Sequence, residues 1–165
     1  MSQSLQKITP FLWFDHQAEE AARFYASVFA NSRIVTVTRY GEAGPGTQGS
    51  VMTVEFELAG QKFVALNAGP AFKFTEAISF VVNCETQQEV DEMWAKLSNG
   101  GKEVQCGWLQ DKYGLSWQIV PVVFFKMIAD PDAARKDRVM KAMMQMTKFD
   151  IAGLEAAYRD PAPSA

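Results

Sequence analysis

The period of the apolar positions changes several times along the chain, and each change marks an element. Ile8 to Phe14 is a dense β-forming run ending at Asp15, after which Ala18, Ala21, Ala22, Tyr25, Val28 and Phe29 recur at helical spacing. This predicts a strand, then a helix to about Phe29, with Glu19 and Glu20 suited to the helix's positive end and Asn31-Ser32 breaking it. Arg33 to Tyr40 is β-branched and predicts a second strand, followed by a loop carrying Gly41, Gly44, Pro45, Gly46 and Gly49. Val51 to Leu58 alternates strictly, with Met52, Val54, Phe56 and Leu58 opposite Thr53, Glu55 and Glu57. Ala59-Gly60 then turns into Gln61 to Asn67, which predicts a half-buried hairpin.

After a crossover containing Gly69-Pro70, the same order begins again. Glu76 to Asn83 predicts a strand, and Thr86 with Glu89 three residues later is a capping box opening a helix. Val90, Met93, Trp94 and Leu97 form its apolar stripe, and Asn99-Gly100-Gly101 its stop. Lys102 to Trp108 and Leu115 to Val120 predict shorter strands around the Asp111-Lys112-Tyr113-Gly114 turn. Pro121 closes this second unit. Beyond it, Asp130-Pro131 predicts a helix start, and Val139, Met140, Met143, Met144 and Met146 an apolar stripe among basic residues. Such a helix packs on its own domain or on a second subunit, and a shorter helix, Ile151 to Tyr158, follows. The implied divisions are 1–70, 71–121 and a helical tail, 122–165.

With 165 residues, 48% hydrophobic and 21% charged, the chain has the composition of a globular protein able to build a core. A net charge of -3 offers no general attraction for nucleic acid. No apolar run has the ~20 residues of a membrane helix, and the first residues are too polar for a signal peptide, so a soluble cytoplasmic protein without membrane or nucleic-acid partners is expected. Cys84 and Cys106 read as reduced thiols, and their spacing with one histidine, His16, does not suggest zinc.

The repeated strand-helix-strands order, Ile8 to Phe14, Phe24-Tyr25, and the run Cys106-Gly107-Trp108 through Asp111, Tyr113-Gly114 and Ser116-Trp117-Gln118 resemble the PhnB-like, demethylubiquinone methyltransferase-like branch of the vicinal oxygen chelate (glyoxalase/bleomycin resistance) superfamily. The resemblance covers Lys7 to Pro121, and the Met-rich tail is also similar to that branch. It implies an α+β fold of two βαβββ modules forming a cupped eight-stranded mixed sheet around a cleft, in a homodimer. Members include metal-dependent enzymes and proteins that only bind and sequester a drug, so the reaction is left unassigned. Metal-dependent members place His or Glu at positions that match Thr9, Asn67 or Leu66, Ala77 to Ser79, and Gln118 here, none of them His or carboxylate. No tightly bound metal and no cofactor are expected.

Strand alternation gathers Thr9, Phe11 and Trp13 on one face, Ser79 and Asn83 on another, and Ser116 and Gln118 on a third. The expected ligand pocket therefore comprises Thr9, Phe11, Trp13, Asn67, Ser79, Trp108 and Gln118, an aromatic surface with neutral polar groups suited to a small apolar or aromatic molecule. Catalytic candidates are Cys106, read as lying in a Gly-flanked strand near Lys112, and Gln118. Without a histidine partner Cys106 reads first as an inert buried thiol. His16 reads as a solvated helix-entry residue. The alternative to a binding protein is an enzyme acting on an aromatic or quinone-like metabolite. Methyl transfer, which the branch name suggests, finds no support in the Gly41 to Gly49 loop, which opens into a strand rather than a helix.

Overall fold

The computed structural model describes residues 6–159 and divides into two compact units, one ending at Phe74 and the other beginning at Thr75. The first unit contains β1 (Phe11–Phe14), α1 (Ala18–Val28), β2 (Arg33–Arg39), β3 (Val51–Leu58) and β4 (Gln61–Asn67). The second contains β5 (Ser79–Cys84), α2 (Gln87–Ser98), β6 (Lys102–Glu103), β7 (Trp108–Gln110) and β8 (Ser116–Pro121), followed by α3 (Val122–Ile128), α4 (Ala133–Met144) and α5 (Ile151–Arg159). The α+β reading with two βαβββ modules holds. The eight strands hydrogen-bond as two four-stranded sheets of identical topology, β1-β4-β3-β2 and β5-β8-β7-β6. In each module the first strand pairs parallel with the fourth and the remaining neighbours are antiparallel.

In the first module the small residues of α1 allow close approach to the sheet. Ala18, Ala21 and Ala22 are fully buried, and Tyr25 stacks on Phe56, which stacks in turn on Phe63. Leu12 and Phe14 of β1 point into this core, so the alternate residues Phe11 and Trp13 lie on the opposite face. The β3–β4 turn places Ala59 at φ 47° and Gly60 at φ 83°, a conformation matching the right-handed twist of its strands.

In the second module Thr86 caps α2, and the return bond from Glu89 falls one residue before the N-cap. Glu89 N–H donates to Thr86 Oγ1 at 3.2 Å, and the Glu89 carboxylate accepts from the Glu85 N–H at 2.7 Å. Asp111, 2% exposed, organises the β7–β8 turn. Its carboxylate accepts from the N–H groups of Tyr113 (2.8 Å) and Leu115 (3.1 Å) and from the Trp117 indole (2.9 Å). The Lys102 to Trp108 strand is corrected. Cys106 (φ 61°) and Gly107 (φ 79°) are left-handed, which breaks the run into β6, a tight link and β7. The break supplies the fourth strand of the module, and it moves Cys106 from a strand to a turn.

The tail docks on its own module. Cys106 and Gly107 donate their N–H groups to the carbonyls of Met146 and Thr147, each at 2.8 Å, and the Gln87 amide joins the Phe149 carbonyl to the Ile151 N–H. Phe149 is 2% exposed and sits so close to Gly107 that a Cβ there would lie 2.3 Å from its ring. The helix expected at Asp130-Pro131 starts at Ala133, where Asp132 is the side-chain cap. It buries Val139 but leaves Met140 and Met144 exposed. Helix α3, directly after Pro121, was not foreseen. Among the described residues no helix is long and apolar enough to cross a membrane.

Candidate functional site

A cavity of about 770 Å³ lies in the first module at the ends of β1 and β4, walled on one side by the loop between β2 and β3. The loop is shaped around Tyr40, which is 7% exposed and flanked by glycines on both edges of its ring. A Cβ on Gly44 would lie 2.7 Å from Tyr40 Cδ1, and one on Gly46 would lie 2.4 Å from Cδ2 and Cε2. The Tyr40 hydroxyl donates to the Asn67 carbonyl at 2.5 Å, which anchors the loop to the end of β4.

Asn67 joins three segments. Its side-chain oxygen accepts from the Ala18 N–H at 2.8 Å, its amide donates to the Val51 carbonyl at 3.2 Å, and its own carbonyl receives Tyr40. Gln17, at the N-cap position of α1, makes no side-chain cap, so Asn67 supplies one from across the module. Trp13 completes the wall: its indole N–H donates to the Gly69 carbonyl at 2.9 Å, and its ring packs nearly perpendicular to that of Phe72, with centroids 4.9 Å apart.

Of the residues expected in the pocket, the structure brings Trp13 and Asn67 together in this cavity. Thr9 is elsewhere, in a smaller hollow of about 250 Å³ with Glu55 and Lys62, and Phe11, 59% exposed, lines neither. Ser79, Trp108 and Gln118 cluster in the second module. Gln118 donates to Ser79 Oγ at 2.8 Å and stands opposite Trp108 in the β7–β8 register. Ser116, paired in register with Ser79 and Gln110, buries a hydroxyl with no hydrogen-bond partner among the described residues.

Sequence reasoning missed Tyr40, Asp15, Glu19 and the loop residues Pro45, Gly46, Thr47 and Ser50, all of which border the cavity. The available signal was a tyrosine directly before a loop with glycines four and six residues later. His16 is at the helix entry as expected, exposed and 3.4 Å from Asp15, and it also borders the cavity.

A divalent ion does not fit the donor set. The matched positions offer Thr9, Asn67, Ser79 and Gln118, none of them an imidazole or a carboxylate, and the Asn67 amide is engaged at both its oxygen and its nitrogen. Among the described residues no three His, Cys, Asp or Glu side chains gather as a metal site. Cys84 is fully buried, and that burial, followed by nearby Glu89, pushes its thiol up to about 12. Cys106 is half-buried in its turn.

The model of the family described as 3-demethylubiquinone-9 3-methyltransferase matches residues 6–120, which include both modules almost entire. The chain belongs to this PhnB-like family. The PhnB protein of Bacillus cereus, provisionally assigned as a 3-demethylubiquinone-9 3-methyltransferase, is 43% identical, with a TM-score of 0.65 over 71% of this chain and 100% of its own. Protein PA1353 of Pseudomonas aeruginosa shares the fold at 17% identity, with a TM-score of 0.59 over 69% of this chain and 96% of its own. No curated protein matches the chain. The tail helices α3 to α5 lie outside the residues matched to the PhnB-like family. The family's description names a methyl transfer, yet the strand-to-helix turns here, Asp15-His16-Gln17 and Glu85-Thr86, lack the glycines that bring a Rossmann-type backbone against its cofactor.

Proposed function

We propose that this chain binds a small apolar or aromatic molecule in the first-module cavity, without a tightly bound metal, and does so as a cytoplasmic homodimer. The cavity between Trp13 and the Tyr40 loop carries this reading: about 770 Å³ is within the range of small-molecule sites, and an indole on its wall supplies a flat contact surface. Trp13 and Asn67 are its binding residues from the expected set. Ser79, Trp108 and Gln118 form a second polar and aromatic patch, able to hydrogen-bond a ligand through the groups that Gln118 and Ser79 do not spend on each other. The homodimer is supported by apolar side chains left exposed on a single chain, among them Phe11 at 59%, Ile78 at 69% and Val81 at 44%.

Native mass spectrometry of gently purified protein tests the bound molecule, the metal and the subunit count in one spectrum. The expected result is a metal-free dimer carrying a small aromatic adduct. A stoichiometric metal would refute the donor-set argument, and a monomer at micromolar concentration would refute the dimer.

Turnover of an aromatic or quinone-like metabolite is the second reading, favoured by the family's description. It predicts catalysis that is lost in Gln118→Ala or Cys106→Ala while the fold is kept.

A further inference from the structure

Resting on the cavity reading above, we infer that the ligand of this cavity is an aromatic amine, bound as its ammonium ion with Asp15 as counter-charge. The hydrogen-bond inventory of the wall leads there. Its donors are largely spent within the protein: the Trp13 indole N–H on Gly69, the Tyr40 hydroxyl on Asn67, the Asn67 amide on Val51 and the Ser50 hydroxyl on the Thr47 carbonyl. The amide at the start of α1, from Ala18, is spent on Asn67. Acceptors remain. Asp15 borders the cavity with the His16 imidazole 3.4 Å away as its ion-pair partner among the described residues, and Glu19 spends Oε1 on Arg23, which leaves Oε2 to accept.

Among the described residues no lysine or arginine borders the cavity. An anionic ligand would therefore meet two carboxylates, with Arg23 already held by Glu19, and would find few donors. A ligand with an aromatic body and an ammonium group matches both halves of the wall. The ring contacts Trp13 and the ammonium supplies the donors and the charge that the wall lacks. Three side chains, Asp15, His16 and Glu19, border the cavity without forming a metal-holding group, which favours an organic cation over a metal ion.

The test uses three probes of one shape and different charge: tryptamine, indole-3-ethanol and indole-3-acetate, titrated into the full chain and followed by amide NMR and calorimetry. The expected result is binding in that order of strength, with tryptamine about tenfold tighter than the alcohol at low salt, and shifts at the Gly46, Thr47 and Gly69 amides. In Asp15→Asn the preference should shrink to about twofold or less, and Glu19→Gln should reduce it further. If the three probes bind alike and shift those amides, the charge inference is wrong and the cavity reading stands. If no probe shifts those amides, both are wrong.

Discussion

Replacing Gly46 by alanine tests whether the Tyr40 loop is the cavity wall. The added Cβ would lie 2.4 Å from two ring carbons of Tyr40 and 2.8 Å from a third, where carbon atoms ordinarily rest at about 3.5–4.0 Å. One partner must therefore move by about 1 Å. The ring cannot retreat easily, because it is 7% exposed, Gly44 closes its other edge, and its hydroxyl is tied to Asn67. Overpacking of this kind costs about 1–3 kcal/mol, so urea unfolding should show a loss in that range. The loop can lower the cost by lifting off the ring, and that opens the cavity, so probe affinity falls in either case.

Gly41→Ala is the matched control. Nothing lies within 4 Å of its Cβ and its φ is ordinary, so it should be neutral or gain up to about 1 kcal/mol through the unfolded state. Equal stability, equal probe affinity and unchanged amide spectra for the two variants would refute the account of the loop.

Asn67→Ala removes the cap of α1 and the bond to Val51 together, and should cost about 2 kcal/mol in urea unfolding; a cost within error of zero would mean that water replaces both bonds. Ala59→Asn should stabilise the chain by about 0.5–1 kcal/mol, because asparagine tolerates the left-handed φ of 47° better than alanine and Asn-Gly is the preferred pair for this hairpin; unchanged or lower stability would refute the assigned turn. Cys84 gives a pH effect of defined sign. The unfolded thiol titrates near 9.0 and the folded one at about 12, so the unfolded chain loses its proton first and stability falls as pH rises from about 9 towards 12. Cys84→Ala should flatten that part of the profile, and native Cys84 should resist alkylation at neutral pH while Cys106 reacts.

The elements legible in sequence are those whose own residues contain the reason for their shape. Strands β3 and β4 fall on Val51–Leu58 and Gln61–Asn67, as read, because strict alternation fixes their faces and Ala59-Gly60 permits only a tight turn. Helix α2 is equally plain, since Thr86 and Glu89 carry its cap locally. The β6–β7 break was not legible, because a cysteine at φ 61° is held there by carbonyls of Met146 and Thr147 some forty residues away. The cap of α1 was hidden for the same reason: Asn67 is 49 residues from the N–H that it accepts. The cavity follows suit. Trp13 could be placed on an outward face by alternation, whereas Tyr40 reaches the cavity through a loop tied to Asn67, 27 residues away, and Asp15 and Glu19 border the cavity that this loop walls.

That tie also explains why two modules of one topology offer different surfaces. Between the second and third strands the first module spends residues 40–50, and the second only residues 104–107. The longer connection wraps Tyr40 and reaches Asn67, whose side chain can hold the loop, the helix and β3 at once. At the matching register position of the second module, opposite Cys84 as Asn67 is opposite Phe14, stands Pro121, which has no side-chain amide to offer. Helix α2 is capped by its own Thr86, so it needs no such partner, and the short β6–β7 link is buttressed instead by the tail through Met146, Thr147 and Phe149. One connection, lengthened and anchored by an asparagine, forms a wall around a cavity; the other, shortened, leaves its module to be covered by helices beyond Pro121. Ligand contacts through the cavity should therefore depend on Tyr40 and Asn67, and stability of the second module on Gly107 and Phe149.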